Sequence, residues 1–191
     1  MSGRPNLAGI LRGVAQLARG RADGIRQFGE SREAFLASLA PLVAFPLVGG
    51  ILMLLSGGGA DALSDLLMTV CALLAPPVLS FEAARLWGRE AAWLRFATAF
   101  NWCQWAIPVV GSLLLLALGM LTSVGLPRQA AQMLAVVGLA SYGLWLHWFL
   151  ARHGLGLSRT RAALLVFGVN LATVAIVVVP RILALAGEGG K

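Results

Sequence analysis

The chain has 191 residues, of which 59% are hydrophobic and 12% are charged, and its net charge is +7. Soluble domains carry about 45–50% apolar and about 25% charged residues, and a soluble chain of this size cannot keep so much apolar surface from water. The composition excludes a soluble globular domain and predicts an all-α protein that crosses a membrane several times. We expect no nucleic-acid partner, because the cations flank long apolar runs and no recognised binding module accompanies them.

Residues 1–34 form a basic segment ahead of the first apolar run. Its apolar side chains recur at steps of three and four residues, and three arginines recur every seven: Leu7, Ile10, Leu11, Val14, Leu17, Ile25 and Phe28, with Arg12, Arg19 and Arg26. This pattern predicts an amphipathic helix at the cytoplasmic membrane interface, attracted to anionic lipid. The glycines in the same stretch weaken a helix, so a partly disordered basic arm is the alternative.

Five apolar stretches are long enough to cross a membrane, since a span needs about 20 residues at 1.5 Å per residue. They run over residues 35–56, 62–80, 96–121, 130–150 and 162–185. Because the connections between them are short, residues 35–187 are predicted to form one five-helix transmembrane domain, a polytopic helical bundle. Residues 81–95 are predicted to add a second short amphipathic piece, and residues 188–191 a short outer tail.

The distribution of cations predicts the orientation. Alternate connecting segments carry twelve Lys and Arg residues on one side of the membrane and three on the other. Cytoplasmic segments carry the excess of cations, so we expect the N-terminus in the cytoplasm and the C-terminus outside. Arginine supplies fourteen of the fifteen cations, which together with the Ala, Leu and Gly content indicates a bacterial protein of the inner membrane.

The tryptophans lie in or near the two later connections that are predicted to be cytoplasmic: Trp87, Trp93, Trp102, Trp105, Trp145 and Trp148. An indole ring prefers the headgroup level, where its body is in contact with apolar groups and its N–H is hydrated. We therefore interpret them as interfacial anchors, with a binding surface as the alternative.

Polar side chains recur on one helical face in three of the five spans. They are Asp65, Thr69, Pro76 and Ser80 in the second span, Asn101, Gln104, Pro108 and Ser112 in the third, and Asn170, Thr173 and Arg181 in the fifth. One interpretation is hydrogen bonding between helices, at about 0.6 kcal/mol per contact. The other is a polar cavity or path in the cytoplasmic half, formed by an intramembrane cluster of Asn101, Gln104, Asn170 and Thr173.

Asp65 and Arg181 each lie about one turn inside the outer end of their spans. A lone charge at this depth is costly, so an ion pair that ties the second span to the fifth is predicted. The alternative is that both side chains reach separately to the outer interface.

No motif in the sequence carries recognisable catalytic chemistry. Phosphate loops, dinucleotide turns, metalloprotease motifs and nucleophile elbows are missing, so we expect no enzyme, cofactor or metal. Cys71 and Cys103 are interpreted as lipid-buried hydrophobes, and His147 as an interfacial hydrogen-bonding residue. The predicted function is a scaffold or accessory subunit, bound to another membrane protein or to its own copies. A small transporter or permease component that uses the polar path is the alternative.

The predicted layout of five spans, a cytoplasmic N-terminal segment and very short outer loops resembles the Yip family of small membrane proteins. The likeness covers residues 30–187 and includes the stretch FATAFNW at residues 96–102. It implies a five-helix membrane bundle of the bacterial branch. The acidic-Leu-Tyr-Gly-Pro signature of eukaryotic members is missing, so the resemblance does not imply their trafficking partners.

Overall fold

The computed structural model describes residues 6–57 and 59–188, which form seven α-helices and one short 3-10 helix. The α-helices are α1 (Leu7–Ala18), α2 (Arg32–Leu55), α3 (Gly59–Leu86), α4 (Glu90–Cys103), α5 (Ala106–Ser123), α6 (Arg128–Gly154) and α7 (Arg159–Glu188), and the 3-10 helix is Ala22–Gln27. The predicted outer tail lies outside the described residues apart from Glu188, the last residue of α7.

Five segments of the structure are long and apolar enough to cross a membrane. Four are α2, α3, α6 and α7, and the third along the chain is the stretch Glu90–Ser123, which contains both α4 and α5. The prediction of an all-α, multi-pass membrane protein with five spans and a short N-terminal helix is therefore confirmed.

The N-terminal helix packs against the bundle. Asn6 caps α1, since its Oδ1 accepts a hydrogen bond from Ala8 N–H at 3.2 Å. Leu17 is fully buried, and Tyr142 Oη donates to Ala18 O at 3.2 Å, so α1 is fastened to α6. The chain turns at Gly20, whose φ of 75° lies in the left-handed region that glycine adopts readily. Ile25 and Phe28 lie beyond this turn and are therefore not part of α1. The apolar stripe of α1 faces mainly protein instead of lipid.

The connection between the second and third spans is shorter than the sequence predicted. Residues 81–86 continue α3, and α4 already begins at Glu90. Gly88 ends α3 with a φ of 66°, and Arg89 N–H donates to Ala84 O at 2.7 Å, as is typical of a glycine helix end. No separate amphipathic piece forms there, because the two helices take up its residues.

The third span is broken at Gln104 and Trp105. Pro108 has no N–H to donate to the Gln104 carbonyl four residues earlier, and its ring crowds that carbonyl. Ile107 N–H bonds Gln104 O at 3.3 Å instead, and the helix restarts at Ala106. The single helix predicted over residues 96–121 is therefore two helices.

The helices are arranged differently on the two sides of this break. We call the half that α1 covers the proximal half and the other the distal half. In the proximal half a closed ring forms through the backbone contacts α4–α2, α2–α3, α3–α7, α7–α6 and α6–α4. In the distal half, among the described residues, α5 contacts α6 but none of α2, α3 and α7. The distal helices thus form an open row, α2–α3–α7–α6–α5.

Burial follows the same division. The large side chains that are fully buried, Leu17, Leu146, Leu150 and Leu155, all belong to the proximal half. The exposed large apolar side chains are distributed over all the membrane-spanning helices α2, α3, α5, α6 and α7, whereas α4 contributes none among the described residues. In a bilayer these surfaces contact lipid, and the proximal half supplies the protein core.

Candidate functional site

The ring of the proximal half borders a partly open cavity of about 240 Å³. It is lined by Leu42, Ala72, Leu73, Pro76, Pro77, Phe100, Asn101, Gln104, His147, Val169, Asn170 and Thr173. All four members of the polar cluster predicted from the sequence, Asn101, Gln104, Asn170 and Thr173, are among these residues. A water molecule in liquid occupies about 30 Å³, so the cavity has room for several waters or for a small organic group.

The cavity separates α4 from α7, which make no backbone contact with each other. Asn101 and Gln104 lie one turn apart at the end of α4, and Asn170 and Thr173 lie one turn apart on α7. Asn170 is eleven residues from both Arg159 and Arg181, so about 16 Å of helix separates it from each of these charges. The cavity therefore lies midway along the apolar stretch of α7 that separates these two charges.

Asn101 fastens α4 to α2. Its Nδ2 donates to Ser38 Oγ at 3.0 Å, and the Ser38 hydroxyl donates to Phe35 O at 2.6 Å. Ser38 is fully buried and Asn101 is only 3% exposed. This contact is the interhelical hydrogen bond that the first interpretation of the polar stripes predicted.

Gln104 fastens α4 to α6. Its Nε2 lies 3.2 Å from His147 Nε2, and the His147 ring packs on Phe100 with ring centroids 4.7 Å apart. The sequence predicted an interfacial hydrogen-bonding role for His147; the structure shows the hydrogen-bond contact and places the side chain in the cavity lining. Neither its spacing nor its neighbours in the sequence indicate this, because the contact joins residues 43 positions apart.

Asn170 and Thr173 do not bridge helices. Asn170 Nδ2 donates to Val166 O at 2.8 Å and Thr173 Oγ1 donates to Val169 O at 2.8 Å, both within α7. Their lone pairs therefore contribute to the cavity and not to helix association. For these two residues the interpretation as interhelical bonds is wrong.

Three amide oxygens of the lining residues lack a donor. Among the described residues, no side chain or backbone group donates to Asn101 Oδ1, Gln104 Oε1 or Asn170 Oδ1, and none of these oxygens is fully shielded, so all three are accessible from the cavity. Asn101 Nδ2 and Asn170 Nδ2 donate within the protein, and Gln104 Nε2 donates to His147 Nε2 in the tautomer that carries no proton on that nitrogen. The cavity is therefore rich in hydrogen-bond acceptors, and none of its described lining residues is charged.

Asp65 and Arg181 are brought together as predicted, with Arg181 Nη2 3.3 Å from Asp65 Oδ1. Asp65 lies eleven residues before Pro76 on α3, and Arg181 lies eleven residues after Asn170 on α7. Eleven residues are about three full turns, so the pair continues the helical faces that line the cavity. The pair therefore marks the distal end of a polar stripe along α3 and α7.

The tryptophans occupy several different environments. Trp93 Nε1 donates to Ser80 Oγ and Trp148 Nε1 donates to Arg159 O, both at 3.1 Å. Trp145 packs on Phe149 with ring centroids 5.5 Å apart. Trp87 and Trp102 are half-buried around the proximal core.

Trp105 differs from the other five because it lies at the helix break. Its ring packs edge-on against Phe45 of α2, with centroids 5.5 Å apart. Trp105 is thus next to the cavity residue Gln104 and not in a connection between spans. The interpretation of Trp105 as an interfacial anchor stays a prediction.

Among the described residues no group of three or more His, Cys, Asp or Glu side chains is placed to hold a metal ion. Cys103 is buried in the protein, whereas Cys71 is exposed on α3. Comparisons with protein-family models, with curated proteins and with solved structures gave no match to this chain. The resemblance to the Yip family therefore stays a prediction.

Proposed function

We propose that this chain is a non-catalytic protein of a bacterial inner membrane that binds a small molecule in the cavity between α4 and α7. It would act as a small transporter or permease component. The observation that carries the proposal is the convergence of three amide oxygens without donors on one cavity at mid-depth.

Physical chemistry supports an occupied cavity. A polar group without a partner is costly in a hydrocarbon environment, where no bulk water reaches it. Donor groups of a ligand or of water remove this cost at Asn101, Gln104 and Asn170. Membrane transporters commonly form their sites at discontinuous helices near the bilayer midplane, and the break between α4 and α5 borders this cavity.

The charge distribution supports the proposed orientation. The proximal half carries the N-terminal segment and the arginine-rich connections, which hold most of the cations. In a contact between two of these segments, Arg95 pairs with Glu30. The proximal half would accordingly face the cytoplasm, and the distal row would face outward.

A second candidate function, a scaffold or accessory subunit, is favoured by the open row of the distal half. The helix α5 packs on α6 alone in that half, and side chains such as Val109, Leu113 and Leu116 are more than half exposed. Another membrane protein or a second copy of the chain would cover this surface, in addition to lipid.

Native mass spectrometry of the full chain, extracted gently from its own membrane, separates the two functions. We expect a bound small molecule in the wild type, strongly reduced in Asn170→Leu and in Thr173→Val. Thr122→Val is the matched control, since Thr122 also donates to its own helix, at Gly119 O, but lies outside the cavity. Equal small-molecule occupancy in all variants, or a protein partner at fixed stoichiometry without any small molecule, contradicts the proposal.

A further inference from the structure

Beyond the helix break, next to the cavity, the bundle has a gap between α2 and α5. At the level of the cavity the ring is closed by the contact between α2 and α4, through Ser38 and Asn101. Immediately beyond the break α5 replaces α4, and α5 makes no backbone contact with α2. Leu42 and Gln104, which line the cavity, lie within one turn of this gap on either side.

One aromatic pair spans the gap. Phe45 on α2 and Trp105 at the start of α5 meet edge-on at 5.5 Å between centroids. Phe45 is 68% exposed and Trp105 is 38% exposed, so little surrounding protein holds the Phe45 ring in place. A single aromatic contact is a weak closure.

Apolar side chains continue outward from both rings. Val48 and Leu52 share the helical face of Phe45, and Val109 and Leu116 share the face that begins at Trp105. All four of these side chains are more than half exposed. The gap between α2 and α5 is therefore bordered by apolar surface from the bilayer to the cavity.

The polar end of the cavity defines the chemistry of an occupant. Asn101 is more than nine-tenths buried, Gln104 and Asn170 are partly buried, and each of the three presents an amide oxygen without a donor. No charged side chain is among the described lining residues. Arg181 lies on α7 about three turns from the lining residue Asn170. A phosphate or carboxylate would find no cation here, whereas hydroxyl groups would supply the missing donors.

The size of the cavity further limits the class of molecule that can occupy it. Its volume of about 240 Å³ is below the roughly 300–1,000 Å³ of sites for drug-sized ligands. It accommodates a compact head, and the apolar gap accommodates a chain. We infer that the occupant is a neutral, hydroxyl-bearing amphiphile that enters from the bilayer between α2 and α5, past Phe45 and Trp105. This inference rests on the proposed function and specifies its substrate class and its path.

The test uses the full chain in phosphatidylcholine nanodiscs and two photoactivatable probes with the same acyl chain, a monoacylglycerol and a phosphatidylcholine. We expect the monoacylglycerol probe to label α2 and α5 near Val48 and Val109, and phosphatidylcholine to label these positions several-fold less. Asn170→Leu should lower monoacylglycerol labelling about five-fold, Phe45→Ala should raise it, and Thr122→Val should leave it unchanged. Equal labelling by both probes, unaffected by Asn170→Leu, identifies ordinary boundary lipid and overturns the inference.

A cysteine experiment separates failure of the inference from failure of the proposed function. Thr173→Cys, with Cys71 and Cys103 replaced by Ala, is treated with a membrane-impermeant thiol reagent in the same nanodiscs. A cysteine that reacts rapidly, without capture of monoacylglycerol, shows that the cavity is reached from water and not from the bilayer. That result overturns the inference and retains the proposed function. If the cysteine is inert, no probe is captured and no small molecule is seen by mass spectrometry, both are overturned.

Discussion

The hydrogen bond between Ser38 and Asn101 is predicted to hold α2 against α4. Replacing Ser38 by Ala removes the acceptor of Asn101 Nδ2 at a site where Ser38 is fully buried and Asn101 is 3% exposed. Leaving a buried donor unpaired costs about 1–3 kcal/mol, whereas measured couplings between membrane helices average about 0.6 and reach about 1.7 kcal/mol. We expect Ser38→Ala to lower the free energy of unfolding by about 1.5 kcal/mol, roughly ten-fold in the equilibrium constant.

A double-mutant cycle measures this bond. Ser38→Ala, Asn101→Leu and the double variant are unfolded reversibly in mixed detergent micelles, and we expect a coupling energy of about 1 kcal/mol. Ser112→Ala is the control, because the Ser112 hydroxyl donates at 2.9 Å to Pro108 O of its own helix and the residue is exposed. This control should change the free energy of unfolding by less than about 0.5 kcal/mol.

The cycle has a clear refuting result. If the two single changes add to within about 0.3 kcal/mol of the double variant, the two side chains do not interact. The closure of the ring between α2 and α4 would then rest on apolar packing alone. A loss in the Ser112→Ala control as large as in Ser38→Ala would also contradict the reasoning, since burial would not distinguish the two serines.

Three further predictions concern other parts of the fold. Asp65→Ala and Arg181→Ala should each lower the free energy of unfolding by about 1 kcal/mol, because each leaves a charge within a span without its partner, and the charge-swapped double variant should restore it. Additive effects in the same micelle assay would contradict the pair. Leu17→Ala should lower the free energy of unfolding by about 2–5 kcal/mol, since Leu17 is fully buried, whereas Leu11→Ala, at an exposed position, should lower it little. Equal losses of stability for the two variants in thermal unfolding would show that α1 does not pack on the bundle. Pro108→Ala restores a donor for the Gln104 carbonyl and should straighten the third span at the break that borders the cavity. We therefore expect native mass spectrometry to show less bound small molecule in this variant. An unchanged amount would show that the break does not shape the cavity.

The sequence predicts the spans well because hydropathy and length alone decide them. All five appear, and the helical periodicity of Asn101, Gln104, Asn170 and Thr173 correctly indicates a common location in one cavity. Polar side chains within a span turn away from lipid, so shared helical faces converge on the bundle interior. The same argument, with similar depth in the membrane, brings Asp65 and Arg181 together.

The break in the third span could not be predicted from Pro108 alone. Pro76 and Pro77 lie inside α3 without interrupting it, so a proline in a membrane span does not by itself specify a break. The docking of α1 was also beyond the sequence, because an apolar stripe with basic flanks is equally compatible with lipid and with protein. At Gly13, α1 approaches the Phe28 ring so closely that a Cβ would lie 2.8 Å from it. This contact depends on tertiary packing.

The contribution of His147 to the site is likewise a tertiary feature. Its partner Gln104 lies on another helix, and no sequence spacing relates the two residues. The position of Trp105 follows from the break and was missed with it. Periodicity along a helix therefore predicts which residues share a face, and only packing determines which faces meet.

The measurement that tests cavity binding most directly is an experimental density map of the full chain, purified with its native lipid. We predict density for a bound molecule in the cavity, with donor atoms about 2.7–3.2 Å from the side-chain oxygens of Asn101, Gln104 or Asn170. We also predict that part of this density extends between α2 and α5. A cavity that is empty, or that holds only ordered water, in the protein from its own membrane would contradict the proposed function.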